Sequence, residues 1–440
     1  MHPKKNSSNN AREQAYKSLL KIDREGAFSN LEIRQTLSRL SFNAEDANLY
    51  TLLVYGVLQN QIFLDYCLDQ LIKELKRVDF ETREILRIAA YQILKLDRIP
   101  DYAAVSEAVL LCGKVNRRAK GFVNGVLRNL IRNKTRLFDI SNGSFRNEEE
   151  VIATRFSIPL PVVHYYFEAY GKEAAPAILA QMNIPAPLSV RVNTLKLSRE
   201  DLAAKLQAEG LAVEVGQLSS DCLYLKGISA SELVQSCWFK DGWLTIQDQG
   251  AMLIAELLDP QPGERILDMC AAPGGKTTHL AQLMSDAGEI IARDIYSSRL
   301  QLIEDAAKRL GISNIKTELW DGIQPPKEEA AFDKILLDAP CSGYGVIRRK
   351  PEIRYRGTEE DRRAIRQTQH TLLNNGLDLL RSGGKLVYAT CTIDPEENNR
   401  QIARVVRERS DVTAEAETER MTSPLTDGCV GFYMFRLIKK

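Results

Sequence analysis

From Trp243 to the C-terminus, short apolar segments alternate with helix-length ones, and this alternation restricts the possible folds more than any other feature of the 440 residues. GERILDMC, GEIIARD, IKTELWD, FDKILLDAP and GGKLVYATC read as strands, with helices expected at about 276–285, 296–310, 360–381 and 395–408. Apolar strands separated by helices call for a parallel sheet covered on both faces, a Rossmann-like α/β domain. Ligands of such sheets collect at the carboxyl ends of the strands. Each of the five segments ends in Cys, Asp or Pro, so binding chemistry is expected there. The final GFYMFRLIKK is expected to add an antiparallel strand at the sheet edge.

The chain is long enough for about three domains of roughly 150 residues each. Residues 1–140 read as all-helical: Ala15, Leu19 and Ile22 recur at helical spacing, and TREILRIAAYQILKL places Leu86, Ala89, Ala90 and Ile93 on one stripe. Pro100 is expected to end that helix, and GFVNGVLRNLIRNK to form a later one. Residues 141–150 are polar and aperiodic, as a linker would be. Residues 151–240 mix LSVRVNTLKL and DCLYLKG, which read as strands, with REDLAAKLQAEG, which reads as a helix, giving a small α+β subdomain. Arg191 and Asn193 interrupt the first of these strands, facing either solvent or substrate. Residues 241–440 form the α/β domain.

The eight cysteines are scattered without a CxxC pair, which argues against a zinc ribbon and a disulfide framework and for a reducing cytoplasm. No apolar run approaches the ~20 residues that span a bilayer, and MHPKKNSSNN shows no secretory signal. Neither a metal nor a membrane partner is expected. A net charge of +1 says little, but its distribution says more. Residues 112–136 carry eight basic side chains and no acidic one. A second cluster, Arg348, Arg349, Lys350, Arg354 and Arg356, follows the LLDAPCSG motif and is expected to meet phosphates.

In ILDMCAAPGGKTTH a strand runs into a glycine-rich loop and then a helix beginning near Lys276. Gly274 and Gly275 permit close backbone approach, and the free N–H groups of the helix favour a polar or anionic group. A phosphate-binding P-loop would need glycine at position 270, which is Cys. Asp294 ends the next strand and can accept both ribose hydroxyls. Asp321 ends the third and can sit at an adenine edge. An adenosyl cofactor without pyrophosphate fits this layout, which means S-adenosylmethionine. Asp268 has either a structural or a cofactor-contacting role.

Cys341 in LLDAPCSG and Cys391 in LVYATCT both end strands beside that ligand. Carbon 5 of cytosine is a weak nucleophile until a thiolate adds to carbon 6. One cysteine can supply that thiolate and a second can assist release of the product. A thiol with a pKa of about 8.5 needs activation to do so. Asp338 can hydrogen-bond the base edge. Amino-group methylation needs no thiol and carries Pro-Pro-Tyr or Pro-Pro-Phe where this chain has Asp338-Ala339-Pro340-Cys341.

DMCAAPGGKTTH, LLDAPCSG, VIRRKPEIRYR and YATCTIDPEEN together resemble the NOL1/NOP2/Sun family of RNA 5-methylcytosine methyltransferases, a likeness that runs through nearly the whole chain. RIPDYAAVSEAV and GFVNGVLRNL resemble the NusB-type RNA-binding fold. The resemblance implies methylation of carbon 5 of a cytosine in small-subunit (16S) ribosomal RNA; a monomer is expected. It also implies that Cys391 is the nucleophile and that Cys341 assists release. By the same likeness Cys270, Ala271, Ala272, Pro273, Gly274, Gly275 and Lys276 form the cofactor loop, and Asp294, Asp321 and Asp338 contact cofactor or base. Arg299, in DIYSSR, is placed at the cofactor site, with a surface position as the alternative. Transfer RNA as substrate and a non-catalytic RNA-binding assembly factor are the competing readings. The chain departs from the family at Arg293, Tyr344 and Val430-Gly431-Phe432-Tyr433, none of which removes a catalytic group.

Overall fold

Asn10 opens the first helix, Ala11–Glu25, by accepting the backbone N–H groups of Arg12 and Glu13, and Gly26 closes it in the left-handed region at φ 69°. The computed structural model describes residues 10–140, 143, 145–326 and 331–440. The polar N-terminus with His2, and Ser141, Asn142 and Ser144 of the expected linker, lie outside the described residues. The described chain divides into two units, one running to Asn183 and including Arg349–Arg356, the other comprising Ile184–Arg348 and Gly357–Lys440.

The first unit is helical. Helices Ala44–Asp69, Phe80–Lys95, Asp101–Val115 and Lys120–Arg132 bury Leu19, Leu53, Leu64, Leu86, Ala89, Ile93 and Leu127 in one core. The helix on the Leu86–Ile93 stripe stops at Lys95, and Pro100 is instead the N-cap of the helix that follows. Of the basic run, Arg117, Arg118, Lys120, Arg128, Arg132 and Arg136 are exposed.

Arg349–Arg356 packs within this unit, and the phosphate expectation for the second basic cluster is corrected at Arg348, Arg354 and Arg356. Helix Ser29–Arg39 begins at Phe28, which has no capping side chain. Glu352 supplies the cap, accepting Ser29 N (3.1 Å) and Ser29 Oγ (2.6 Å). Arg354 is 2 % exposed and donates to the Ser157 carbonyl and to Asn183 Oδ1, each at 3.0 Å. Arg356 donates to the Ala27 carbonyl and lies over the Phe28 ring. In the second unit Arg348 donates to the carbonyls of Ile184 (2.7 Å) and Pro185 (3.0 Å). These guanidinium groups satisfy backbone carbonyls.

The second unit holds two sheets. Strands β1 (Leu188–Val192), β2 (Ala212–Val215), β3 (Cys222–Lys226) and β4 (Leu244–Ile246) form an antiparallel sheet in the order β2-β3-β1-β4. The larger sheet contains β5 (Arg265–Asp268), β6 (Glu289–Asp294), β7 (Ile315–Leu319), β8 (Phe332–Asp338), β9 (Leu380–Thr390), β10 (Val412–Met421) and β11 (Tyr433–Lys439), ordered β10-β11-β9-β8-β5-β6-β7. β5 to β9 are parallel, as the apolar alternation requires. The C-terminal strand β11 is antiparallel but not at the edge. It pairs with β9 on one side and with β10 on the other. β10, VTAEAETERM, takes the edge because its glutamates tolerate water, whereas β11 buries Tyr433, Phe435 and Leu437. The chain moves from β5 outward through β6 and β7, then returns to the other side of β5 with β8. This reversal of strand order opens a crevice at the carboxyl ends of β5 and β8.

Candidate active site

Register brings the chemistry to that crevice. Asp268 of β5 pairs with Leu336 of β8, and Asp338 of β8 with Ala389 of β9, so the loops after all three strands meet. After β5 the loop turns at Gly274, where a φ of 94° strains any residue but glycine and an added Cβ would lie 3.1 Å from Ile303 Cα. Helix Gly275–Leu283 begins immediately after it, with open space above Gly275.

A cavity of about 180 Å³ lies at this loop. It brings together Cys270, Ala271, Ala272, Pro273, Gly275, Lys276 and Asp338, and adds Gln247, Ala251 and Asp268. Gly274, Asp294, Arg299 and Asp321 do not line it. Asp294 is buried at the end of β6 and accepts Tyr296 N (3.0 Å). Asp321 is exposed and accepts Ile323 N (3.2 Å). Arg299 is exposed over the ring of Tyr296. Two buried polar atoms at the cavity, Asp268 Oδ1 and Gln247 Nε2, have no hydrogen-bond partner among the described residues. An acceptor and a donor left open beside a glycine turn fit a zwitterionic amino-acid group such as the methionine end of S-adenosylmethionine.

Arg191 explains the shape of the loop. It faces neither solvent nor substrate, being 1 % exposed. From β1 it donates to the Gly275 carbonyl (2.6 Å), Thr278 Oγ1 (3.0 Å), Gln282 Oε1 (3.2 Å) and Gln247 Oε1. Burial lowers its pKa to about 9, leaving it charged at neutral pH. Asn193 is likewise buried and donates to the carbonyls of Gly242 (2.8 Å) and Leu310 (2.9 Å). A charged residue inside an apolar strand was the sequence signal for Arg191.

At the end of β8, Asp338 Oδ2 accepts from Lys276 Nζ at 2.6 Å. Burial pulls the pKa of Lys276 down, but Asp338 more than offsets it, so the ammonium group is held above its ordinary value. Cys391 also contributes to that rise, which places a cation in the field of its sulfur. The two sulfurs, Cys341 Sγ and Cys391 Sγ, are 3.2 Å apart, and Cys391 N donates to Cys341 Sγ at 3.3 Å. Hydrogen bonding to Cys391, followed by burial, pushes the Cys341 thiol well above the ordinary thiol value. Cys270 is also pushed up by burial, with nearby carboxylates adding to it.

The divergent C-terminal turn lies against this site. Gly345 N donates to the Cys391 carbonyl (3.0 Å), and Gly431 N donates to the Gly345 carbonyl (2.9 Å). A Cβ at Gly345 would stand 2.0 Å from Gly431 O and 2.9 Å from Cys391 O. Neither neighbour is a side chain that could swing away. Gly345→Ala is therefore expected to displace the Cys391 loop and lower turnover about tenfold to a hundredfold. Steady-state kinetics beside a thermal melt would check this.

Asp268 gives the site a pH signature. Burial raises its pKa to about 7, against the hydrogen bond from Thr277 Oγ1 at 2.7 Å. A folded pKa above the unfolded value of 3.8 means that the folded state binds the proton more tightly. The stability linked to that proton is complete below the unfolded pKa and is lost as pH rises toward 7. Asp268→Asn should therefore gain on wild type by about 4 kcal/mol between pH 4 and pH 8. His279, whose pKa burial lowers to about 4, acts oppositely. Its contribution is complete above the unfolded pKa of 6.5 and is lost as pH falls toward 4. Urea titrations of both proteins at several pH values, without cofactor, would isolate the Asp268 contribution.

Among the described residues no helix is long and apolar enough to cross a membrane, and no group of three or more His, Cys, Asp or Glu could hold a metal ion.

Three family models match the chain: the NusB family over residues 9–132, the RsmF/B-like ferredoxin-like domain over 162–230, and the 16S rRNA methyltransferase RsmB/F family over 255–429. The chain is 38% identical to the probable ribosomal RNA small subunit methyltransferase B of Bacillus subtilis, covering 93% of this chain and 91% of that protein. It is 34% identical to the protein of the same description from Synechocystis, over 95% and 94% of the two chains. Among solved structures it is similar to NSun6 from Pyrococcus horikoshii with SFG, at TM-score 0.58 and 26% identity over 64% of this chain and 98% of that one.

Proposed function

The chain belongs to the ribosomal RNA small subunit methyltransferase B family, and from that premise we propose that it methylates carbon 5 of one cytosine in small-subunit (16S) ribosomal RNA through a covalent bond between that base and Cys391. The observation that carries the reading is the pair of sulfurs 3.2 Å apart beside the Lys276–Asp338 bridge. When bound, S-adenosylmethionine supplies an electrophilic methyl group. Gln247 and Asp268 would hold its amino-acid end, and the strand-end acids Asp294 and Asp321 its adenosine.

The remaining work falls to side chains. Lys276 favours the thiolate of Cys391 by charge. Asp338 accepts hydrogen bonds from the cytosine edge, orienting carbon 6 toward Cys391 Sγ. Addition of the thiolate to carbon 6 places electron density on carbon 5. Once methylated, carbon 5 must lose its proton. Cys341 is the group that takes it. Hydrogen bonding to Cys391 and then burial hold its thiol up, and bonding of the Cys391 sulfur to carbon 6 removes the first of these. Cys341 can then give its proton to water and accept the one from carbon 5. The carbon–hydrogen pair becomes the carbon 5–carbon 6 double bond, and the carbon 6–sulfur pair returns to Cys391 as thiolate.

A base must leave its stack to be reached at carbon 6, at a cost of a few kcal/mol, roughly. The exposed basic face of the helical unit suits phosphate contact with flanking RNA. The enzyme is expected to act as a monomer in the cytoplasm, where its thiols stay reduced.

The test is to incubate the protein with labelled S-adenosylmethionine and unmodified small-subunit ribosomal RNA, then map 5-methylcytosine. Label at one cytosine supports the reading and names the target. Label in transfer RNA alone would replace the substrate, and label on a nitrogen would replace the chemistry.

A further inference from the structure

Cys341 sits in a loop rather than a regular element, so something must fix its position. The peptide groups on both sides of it are held by one buried pair of side chains. Glu397, in the turn Pro395–Glu397 after Cys391, is 0% exposed. Its Oε2 accepts the backbone N–H of Ser342 at 3.0 Å and Gln369 Nε2 at 2.8 Å. Gln369 Nε2 also donates to the Pro340 carbonyl at 2.9 Å. The turn carrying Glu397 is fixed in its own right, because the Tyr388 hydroxyl donates to the Glu397 carbonyl at 2.6 Å. Pro340 and Ser342 are the chain neighbours of Cys341, so this clamp sets where the sulfur lies. Cys391 has anchors of its own, its carbonyl accepting Gly345 N at 3.0 Å. It leaves the end of β9 beside Thr390, which donates to Asn398 Oδ1 at 2.6 Å.

We propose that Glu397 is a positioning residue for Cys341 and acts selectively on release of the methylated base. The inference rests on the reading of Cys391 as nucleophile. In the release step the carbon 5 proton passes to Cys341 Sγ, its bonding pair forms the carbon 5–carbon 6 double bond, and the carbon 6–sulfur pair returns to Cys391. A Cys341 loop freed of its clamp carries the sulfur away from carbon 5 while Cys391 can still add. Loss of the carboxyl therefore slows release more than addition, and the protein–RNA adduct accumulates. Burial, which raises the pKa of Glu397, is compatible with a group that works through a hydrogen-bond acceptor rather than a full charge. The amide of Gln retains such an acceptor.

The experiment compares full-length E397A, E397Q, C341A and C391A with wild type, each mixed with S-adenosylmethionine and target RNA and run on a denaturing gel. The expected result is an adduct band for E397A as for C341A, with release slowed about tenfold or more. E397Q should restore release, and C391A should form no band. Wild-type release by E397A, or loss of adduct and methylation together as in C391A, would overturn the proposal. If E397A fails to melt cooperatively, Gln369→Leu decides instead, because it removes the contact to Pro340 and should also leave the band. Absence of a band from C341A itself would count against the cytosine-adduct reading and not against Glu397.

Discussion

Cys391→Ala protein will methylate RNA about a thousandfold or more slowly than wild type at any cofactor concentration, the scale on which losing a covalent nucleophile acts. Binding of the cofactor should change little, because the cavity at the glycine loop is lined without Cys391. The variant should also keep its fold, since Cys391 is only partly buried and its backbone N–H still donates to Cys341 Sγ. Single-turnover methylation, cofactor binding by calorimetry and a thermal melt would together check this. Residual methylation near wild type would transfer the nucleophile's role to Cys341, 3.2 Å away.

Arg191→Leu should be the most damaging substitution outside the reacting groups. The side chain satisfies the Gly275 carbonyl, Thr278, Gln282 and Gln247 at once. Leucine leaves the side-chain oxygens of Gln247 and Gln282 buried without the donor they had, while the Gly275 carbonyl keeps the Thr278 hydroxyl at 3.2 Å, an effect of about 3 to 5 kcal/mol on stability. Because Gly275 and Gln247 both line the cavity, cofactor affinity should fall with it. Arg191→Lys offers a point charge in place of a planar fork and should recover part of the stability and less of the affinity. Denaturant titration with and without cofactor separates the two effects. A Leu variant as stable as wild type would show that water replaces the guanidinium.

The parallel strands were legible because their signals are local: an apolar run, a glycine or helix start, a terminal acid or cysteine. Strand order is not local. Nothing in GFYMFRLIKK reveals that VTAEAETERM will pair outside it, and a run so rich in glutamate does not read as a strand. The cavity gathers the glycine-rich loop with Lys276 and Asp338, but Gln247 joins it from the segment after β4, where no single residue stood out. Glu397 stood within a quoted motif, yet its partner Gln369 lies 28 residues away in a covering helix. The second basic cluster misled for a plain physical reason. A run of arginines signals a need for acceptors, and sequence does not tell whether phosphates or carbonyl oxygens will meet it.

The helical unit is discontinuous in the gene. Its last pieces, Glu352 on Ser29 and Arg354 on Ser157 and Asn183, are encoded inside the methyltransferase half. A single recombination breakpoint between the halves would deliver a helical module lacking a helix cap, with carbonyls left unpaired. Such an arrangement resists shuffling: the two halves are inherited together or repaired together, and a helical module of this lineage that stands alone must have found another residue to do the work of Glu352.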